Sequence, residues 1–132
     1  MAVTAKWLNE SNEVLHFEYK DKWTWDEAVE AIQKSQTMLN EVQHPVSSII
    51  ELEEQYYLPP NPMKYLKQIV ENRSTHKNDS GITIFLNAEV LTKAMLDVIS
   101  IGNPEVAKFV TFNHAKTVHE AIEKIQAIQE SQ

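Results

Sequence analysis

The sequence predicts a single α/β domain over residues 1–132. Its core is a five-stranded, mixed and mostly parallel sheet with helices on both faces. Three apolar runs, Val46–Leu52, Ile82–Leu86 and Ala107–Phe112, each precede a helical pattern. Fully buried parallel strands read as such runs, and the helices between them read as crossovers. Two further strand patterns stand at the N-terminus, before any helix. With 132 residues, 42% of them hydrophobic, the chain is large enough for one core without disulfide or metal staples.

The elements follow in order. Val3–Leu8 and Val14–Tyr19 read as strands. In the second, Leu15, Phe17 and Tyr19 share one face, and His16 and Glu18 share the other. Asn9-Glu10-Ser11-Asn12 between them is turn chemistry and predicts a hairpin. Thr24 and Glu27 form a capping box that opens the first helix. Ala28, Ile32, Ser35, Leu39 and Val42 supply its buried stripe, and His44-Pro45 stops it. After Val46–Leu52, residues 53–60 form a loop. Asn61 then caps a second helix with Pro62 at its first position, and Met63, Leu66, Ile69 and Val70 face inward.

Residues 74–81 read as a polar, mobile loop before Ile82–Leu86. Asn87 caps a third helix with Leu91, Ala94, Met95 and Val98 inside, ended by Gly102-Asn103-Pro104. Ala107–Phe112 is the last strand. Thr117 and Glu120 make a second capping box for a helix striped by Ala121, Ile122, Ile125 and Ile128. The order is β-β-α-β-α-β-α-β-α, with the first strand antiparallel at or near an edge and the strand order left open.

Composition narrows the function. Two glycines cannot build a glycine-rich phosphate cradle, and zero cysteines exclude disulfides, thiol catalysis and cysteine-held metals. The opening residues, Met1 to Lys6, lack the basic and apolar regions of a signal peptide. No apolar stretch approaches the ~20 residues that span a bilayer. A cytoplasmic protein is the expectation. A net charge of −7 without any block of lysine or arginine argues against nucleic acid and anionic membranes.

Ligands of open α/β sheets bind beyond the carboxyl ends of the strands. There the sequence gathers Glu51 and Glu53, Asn87, and His114 after the last strand. Such a group could hold a divalent cation or move a proton, but caps and solvated charges explain it more simply. No histidine pair has metal-binding spacing, and no serine sits in a nucleophile motif. His119 and Glu123 lie four apart, which fits a solvated pair. No catalytic residue, metal or cofactor is assigned. Tyr56-Tyr57-Leu58-Pro59-Pro60 is stiff and amphipathic, suited to a partner or to covering the core edge. Trp23 and Trp25 flank the cap Thr24. One is expected in the core, and the other exposed as a contact for a partner or a second copy.

Four segments carry a family resemblance: Trp23-Thr24-Trp25-Asp26-Glu27-Ala28, Ile49-Ile50-Glu51-Leu52, Leu58-Pro59-Pro60-Asn61-Pro62 and Thr117-Val118-His119-Glu120-Ala121. In this order and spacing the chain resembles the STAS domains, named for sulphate transporters and anti-sigma-factor antagonists. It is most similar to the stand-alone SpoIIAA-like proteins. The resemblance implies a non-catalytic cytoplasmic regulatory or protein-interaction module. Antagonists of that family carry a phosphorylatable serine where the second helix starts. Here Asn61-Pro62-Met63 has no hydroxyl, so that switch is not carried over.

The architecture also resembles CRAL-TRIO lipid-binding domains, so a carrier of a small apolar or lipid-like ligand is the alternative. A metal-dependent enzyme using Glu51, Glu53 and His114 is a third reading. The candidate binding residues are Glu51, Glu53, Tyr56, Tyr57, Asn61, Asn87 and His114. The expected partner is a protein, with a homodimer among the choices.

Overall fold

The computed structural model describes residues 2–53, 57, 59–61, 64–65, 77–87 and 111–131. Within them the order is β1 (Val3–Trp7), β2 (Val14–Tyr19), α1 (Trp25–Leu39), β3 (Val46–Leu52), β4 (Asp79–Leu86), β5 (Thr111–Ala115) and α2 (Val118–Glu130). The chain is α/β with a five-stranded mixed sheet. Lys64 and Tyr65 are helical. The rest of the expected second helix, the third helix, residues 107–110 of the last strand, and Tyr56 lie outside the described residues.

β1 and β2 form the expected hairpin. Asn12 takes φ 53°, a left-handed conformation that asparagine tolerates. Its N–H donates to the Asn9 carbonyl at 3.3 Å, and the Leu8 N–H donates to the Val14 carbonyl at 2.9 Å. Thr24 is the N-cap of α1, and its hydroxyl accepts from the Glu27 N–H at 3.2 Å. Glu27 answers by accepting the Thr24 N–H, also at 3.2 Å. Buried positions Trp25, Ala28, Ala31, Ser35 and Leu39 recur at helical spacing. The helix ends at Leu39, so Val42 packs from beyond it.

At α2, the Thr117 hydroxyl accepts from the Glu120 N–H at 3.1 Å. Glu120 reaches back one residue further than a capping box requires, to the Lys116 N–H at 3.0 Å.

The strand order is β1-β2-β3-β4-β5. β1 runs antiparallel at the edge, and every later pair is parallel. Among the described strands the order never reverses, so no switch point lies between them. α1 covers one face with Leu15, Phe17, Tyr19, Leu52 and Phe85 beneath it. α2 covers the other, over Val14, Ile49, Ile82, Ile84, Leu86 and Ala115. Each fully buried leucine, isoleucine or phenylalanine among them contributes roughly 1.5–3 kcal/mol of transfer free energy.

Two expectations change here. β4 starts at Asp79, not Ile82, so residues 79–81 are strand rather than loop. The polar residues at its entry are buried because their bonds are made internally. Asn78 donates its amide to the Leu39 and Val42 carbonyls, both at 2.9 Å, and so satisfies carbonyls at and beyond the end of α1. The Asp79 carboxylate accepts the Gly81 N–H at 2.8 Å. Against β3 the register shifts, with Val46 opposite Asp79 and Ser48 opposite Thr83.

The second change concerns the tryptophans. Both are buried, Trp23 at 3% and Trp25 at 7% exposure. Thr24 between them is extended, with φ −117° and ψ 160°. An extended residue places its neighbours two apart on the same side, so both rings turn inward.

Candidate functional site

Two adjoining surfaces gather most of the candidate residues. The first lies at the carboxyl ends of β2, β3 and β4. It is a depression of about 310 Å³, open to solvent and lined by Glu18, Tyr19, Lys20, Glu51, Leu52, Glu53 and Asn87. The three strand-end residues Glu51, Glu53 and Asn87 are thus brought together. Asp21 and Asn87 turn the chain there with φ 53° and 62°. Aspartate and asparagine tolerate that region. The Asp21 N–H donates to Glu53 Oε1 at 2.5 Å. The Asn87 amide donates to the Leu52 carbonyl at 3.1 Å. Asn87's left-handed backbone differs from the extended geometry of an ordinary N-cap.

Beneath this rim runs a charged network on the sheet face shared with α2. Glu18 and Glu51 sit opposite one another in the β2–β3 register. His16 Nε2 lies 2.9 Å from Glu51 Oε1, and His16 Nδ1 lies 3.9 Å from Glu18 Oε1. Lys6 bonds Glu18 at 2.6 Å, and Lys20 approaches it at 3.4 Å. The Lys6 ammonium, hydrogen-bonded to Glu18, holds that carboxyl below the ordinary carboxylate range, against the opposing effect of burial. The same bond holds Lys6 protonated to higher pH than usual. Glu18, Glu51 and Glu53 therefore each have a partner within the fold, which suits a fixed polar surface.

A lowered carboxylate stabilises the fold above its unfolded pKa, and that contribution vanishes as pH falls through the folded value. Stability lost on Glu18→Gln is therefore expected to be largest at neutral pH and to fade on acidification below the ordinary carboxylate range. Urea titrations of both proteins across that interval check it.

His114 departs from its expected place. It lies within β5, not after it. It pairs with Phe85, which belongs to the α1 face, whereas Glu51 pairs with Leu86 on the α2 face. Register partners of parallel strands share a face. Glu51 and His114 are therefore on opposite sides of the sheet, and the structure does not bring them into one group. The His114 carbonyl instead accepts Lys124 Nζ at 2.6 Å. His119 and Glu123 meet at 2.8 Å as an exposed surface pair. Among the described residues, no group of three or more histidines and carboxylates is placed to hold a metal ion.

The second surface adjoins the first through Tyr19, whose ring meets Trp23 edge-on at 4.7 Å. Trp23 meets Trp25 edge-on at 4.9 Å. Trp25 stacks on Tyr65 at 5.3 Å and 11°. The Trp25 indole N–H donates to the Pro60 carbonyl at 2.7 Å. Tyr57 stands 37% exposed nearby, and Pro59 is buried. Together with Lys22, Thr24 and Asp26, these rings and prolines line a groove of about 270 Å³. Asn61, at φ 61°, is exposed beside it, and its carbonyl accepts the Tyr65 N–H at 3.4 Å.

Sequence reasoning missed His16, Lys6 and Lys20, as well as the groove. His16 meets Glu51, and Lys6 meets Glu18, only through strand register, whereas Lys20 reaches Glu18 from two residues away. The groove depends on both tryptophans turning inward.

No family model, curated protein or solved structure matches this chain. No helix among the described residues is long and apolar enough to cross a membrane.

Proposed function

We propose that this chain is a non-enzymatic cytoplasmic regulatory or protein-interaction module of the STAS type, working without a phosphoserine switch. The observation that carries the reading is Pro60, pinned just before Asn61. The Trp25 indole fixes Pro60 by a hydrogen bond, and Tyr57 stands exposed beside it. A residue held in place loses little entropy on binding, and tyrosine combines apolar area with a polar tip. The engaged carboxylates next to it supply a fixed polar rim, the usual surround of an interface anchor. The α/β class and the observed caps at Thr24 and Thr117 support the STAS resemblance as far as fold class goes.

The carrier alternative has weaker support. The groove, the strand-end depression and a third depression of about 290 Å³ beside α2 are open, with polar and charged side chains in their linings.

Affinity capture from the native cell tests the proposal. Tyr57→Ala is expected to weaken the captured complex about tenfold or more, as loss of an anchor side chain does. Undiminished capture by that variant would remove Tyr57 from the working surface and overturn the reading. Stoichiometric phosphate on a residue between Glu53 and Lys67 would overturn the absence of a switch.

A further inference from the structure

We propose that the outer edge of β5 is a strand-pairing surface for a second copy of this chain, held shut by Glu120 and Lys124 of α2. β5 ends the sheet, and among the described residues no strand lies beyond it. The edge of a sheet presents N–H and C=O groups that template another chain. At His114 both groups go to side chains. Its N–H donates to Asn113 Oδ1 at 2.8 Å, and its carbonyl accepts Lys124 Nζ at 2.6 Å. The two groups of one strand residue point to the same side, so His114 turns its backbone away from β4. Strand geometry repeats every two residues, so Lys116, just past the strand, faces the same way. Its N–H donates to Glu120 Oε2 at 3.0 Å.

The setting of α2 explains these bonds. Ile122, Gln126 and Gln129 line a depression with Val14 of β2, so that flank of the helix looks toward the middle of the sheet. Glu120 and Lys124 stand on the opposite flank, toward the outer edge of β5. They lie one turn apart, with Lys124 Nζ 3.7 Å from Glu120 Oε1. In a parallel ladder one residue of a neighbouring strand gives its N–H to one carbonyl and takes the N–H two residues on. Lys124 and Glu120 do the same for the His114 carbonyl and the Lys116 N–H. The pair therefore fills the place of a sixth strand. The bond from the Lys116 N–H holds the Glu120 carboxyl below the ordinary carboxylate range, against the opposing effect of burial and with help from Lys124, so this acceptor is ionised at neutral pH.

The strand itself carries no guard. Thr111–Ala115 reads Thr-Phe-Asn-His-Ala, without the lysine, glutamate or proline that blunts many edges. That composition also selects the occupant. The chain has a net charge of −7, yet two copies meeting β5 to β5 set no like-charged lysine or carboxylate side chains of the strand against each other. A strongly charged foreign strand finds no opposite charge along it. Self-pairing about a two-fold axis is closed and self-complementary.

The experiment compares the full chain with the double variant Glu120→Ala/Lys124→Met by sedimentation velocity over a concentration series. Hydrogen exchange at the His114 and Lys116 amides is followed alongside. Methionine keeps the length of lysine and removes the donor. The opened variant is expected to self-associate about tenfold or more tightly than the wild type, since two backbone groups per chain are freed for pairing. Exchange at the two amides should slow as its concentration rises. Glu120→Gln/Lys124→Arg keeps an acceptor and a donor and should behave as the wild type. Thr24→Ala weakens α1, on the other face of the sheet, and shows what loss of stability does alone. If the double variant fails to fold by circular dichroism, Lys124→Met carries the test with the same readouts.

Unchanged association of the folded variant would overturn the inference, leaving the pair as a cap and a stability contact. So would association that Thr24→Ala reproduces, or association that leaves exchange at both amides unchanged. A variant that stays monomeric yet binds an unrelated threonine–valine strand peptide would overturn it too, since the edge then receives a foreign strand rather than a copy.

Discussion

Trp25→Ala is expected to lower stability by about 3–5 kcal/mol, the range for truncating a large buried aromatic. Trp25 is 7% exposed and opens α1. It meets Trp23 edge-on at 4.9 Å and Tyr65 face-on at 5.3 Å. Aromatic pairs of this kind add about 0.5–1.5 kcal/mol each beyond their area. The indole also ties Pro60 to the helix start, across a separation of 35 residues. Truncation thus opens a cavity beneath α1 and frees the loop that carries Tyr57. Trp25→Phe separates the two effects. It retains most of the ring and loses the N–H, at a cost near 1 kcal/mol, the usual net worth of one hydrogen bond. Urea denaturation should show the midpoint moving far for alanine and little for phenylalanine, with the slope unchanged in both. If the alanine variant unfolds like the wild type, Trp25 does not anchor the helix.

What could be read in advance was whatever depends on neighbours in sequence. Alternation in β2 put Leu15, Phe17 and Tyr19 on one face and His16 and Glu18 on the other, and the sheet keeps that division. The caps at Thr24 and Thr117 were visible because a cap is a bond between residues three apart.

What escaped depends on pairing across long separations. His16 meets Glu51 only because β2 and β3 are neighbours in a set register. His114 leaves the strand-end group because β5 continues to Ala115 and sets its side chain on the α1 face. Asn78 and Asp79 looked like loop residues because they are polar. They are buried because side-chain bonds to Leu39, Val42 and Gly81 replace water. The tryptophan expectation went wrong at a single dihedral pair, the extended backbone of Thr24.

Gly81→Val is expected to destabilise the fold by about 2–5 kcal/mol, from two additive sources. Gly81 has φ 81° within β4. A left-handed conformation costs a side-chain-bearing residue about 1–2 kcal/mol, and a β-branched one tolerates it worst. The site is also buried, so added carbons crowd a packed interior for a further ~1–3 kcal/mol. The position is where the β3–β4 register slips between Val46 and Ser48, and the Asp79 carboxylate holds the Gly81 N–H at 2.8 Å. The same segment carries Asn78 onto the α1 terminus and Ser80 to within 2.8 Å of Ser47. A residue that forced φ negative would pull these bonds apart together, so the loss should be cooperative rather than local. Gly81→Ala, with one carbon added, should show the backbone share alone, near 1–2 kcal/mol. Thermal unfolding of the two variants checks both parts. Equal midpoints for alanine and valine would mean that the interior has room there, and a valine midpoint equal to the wild type would mean that β4 does not need the left-handed turn.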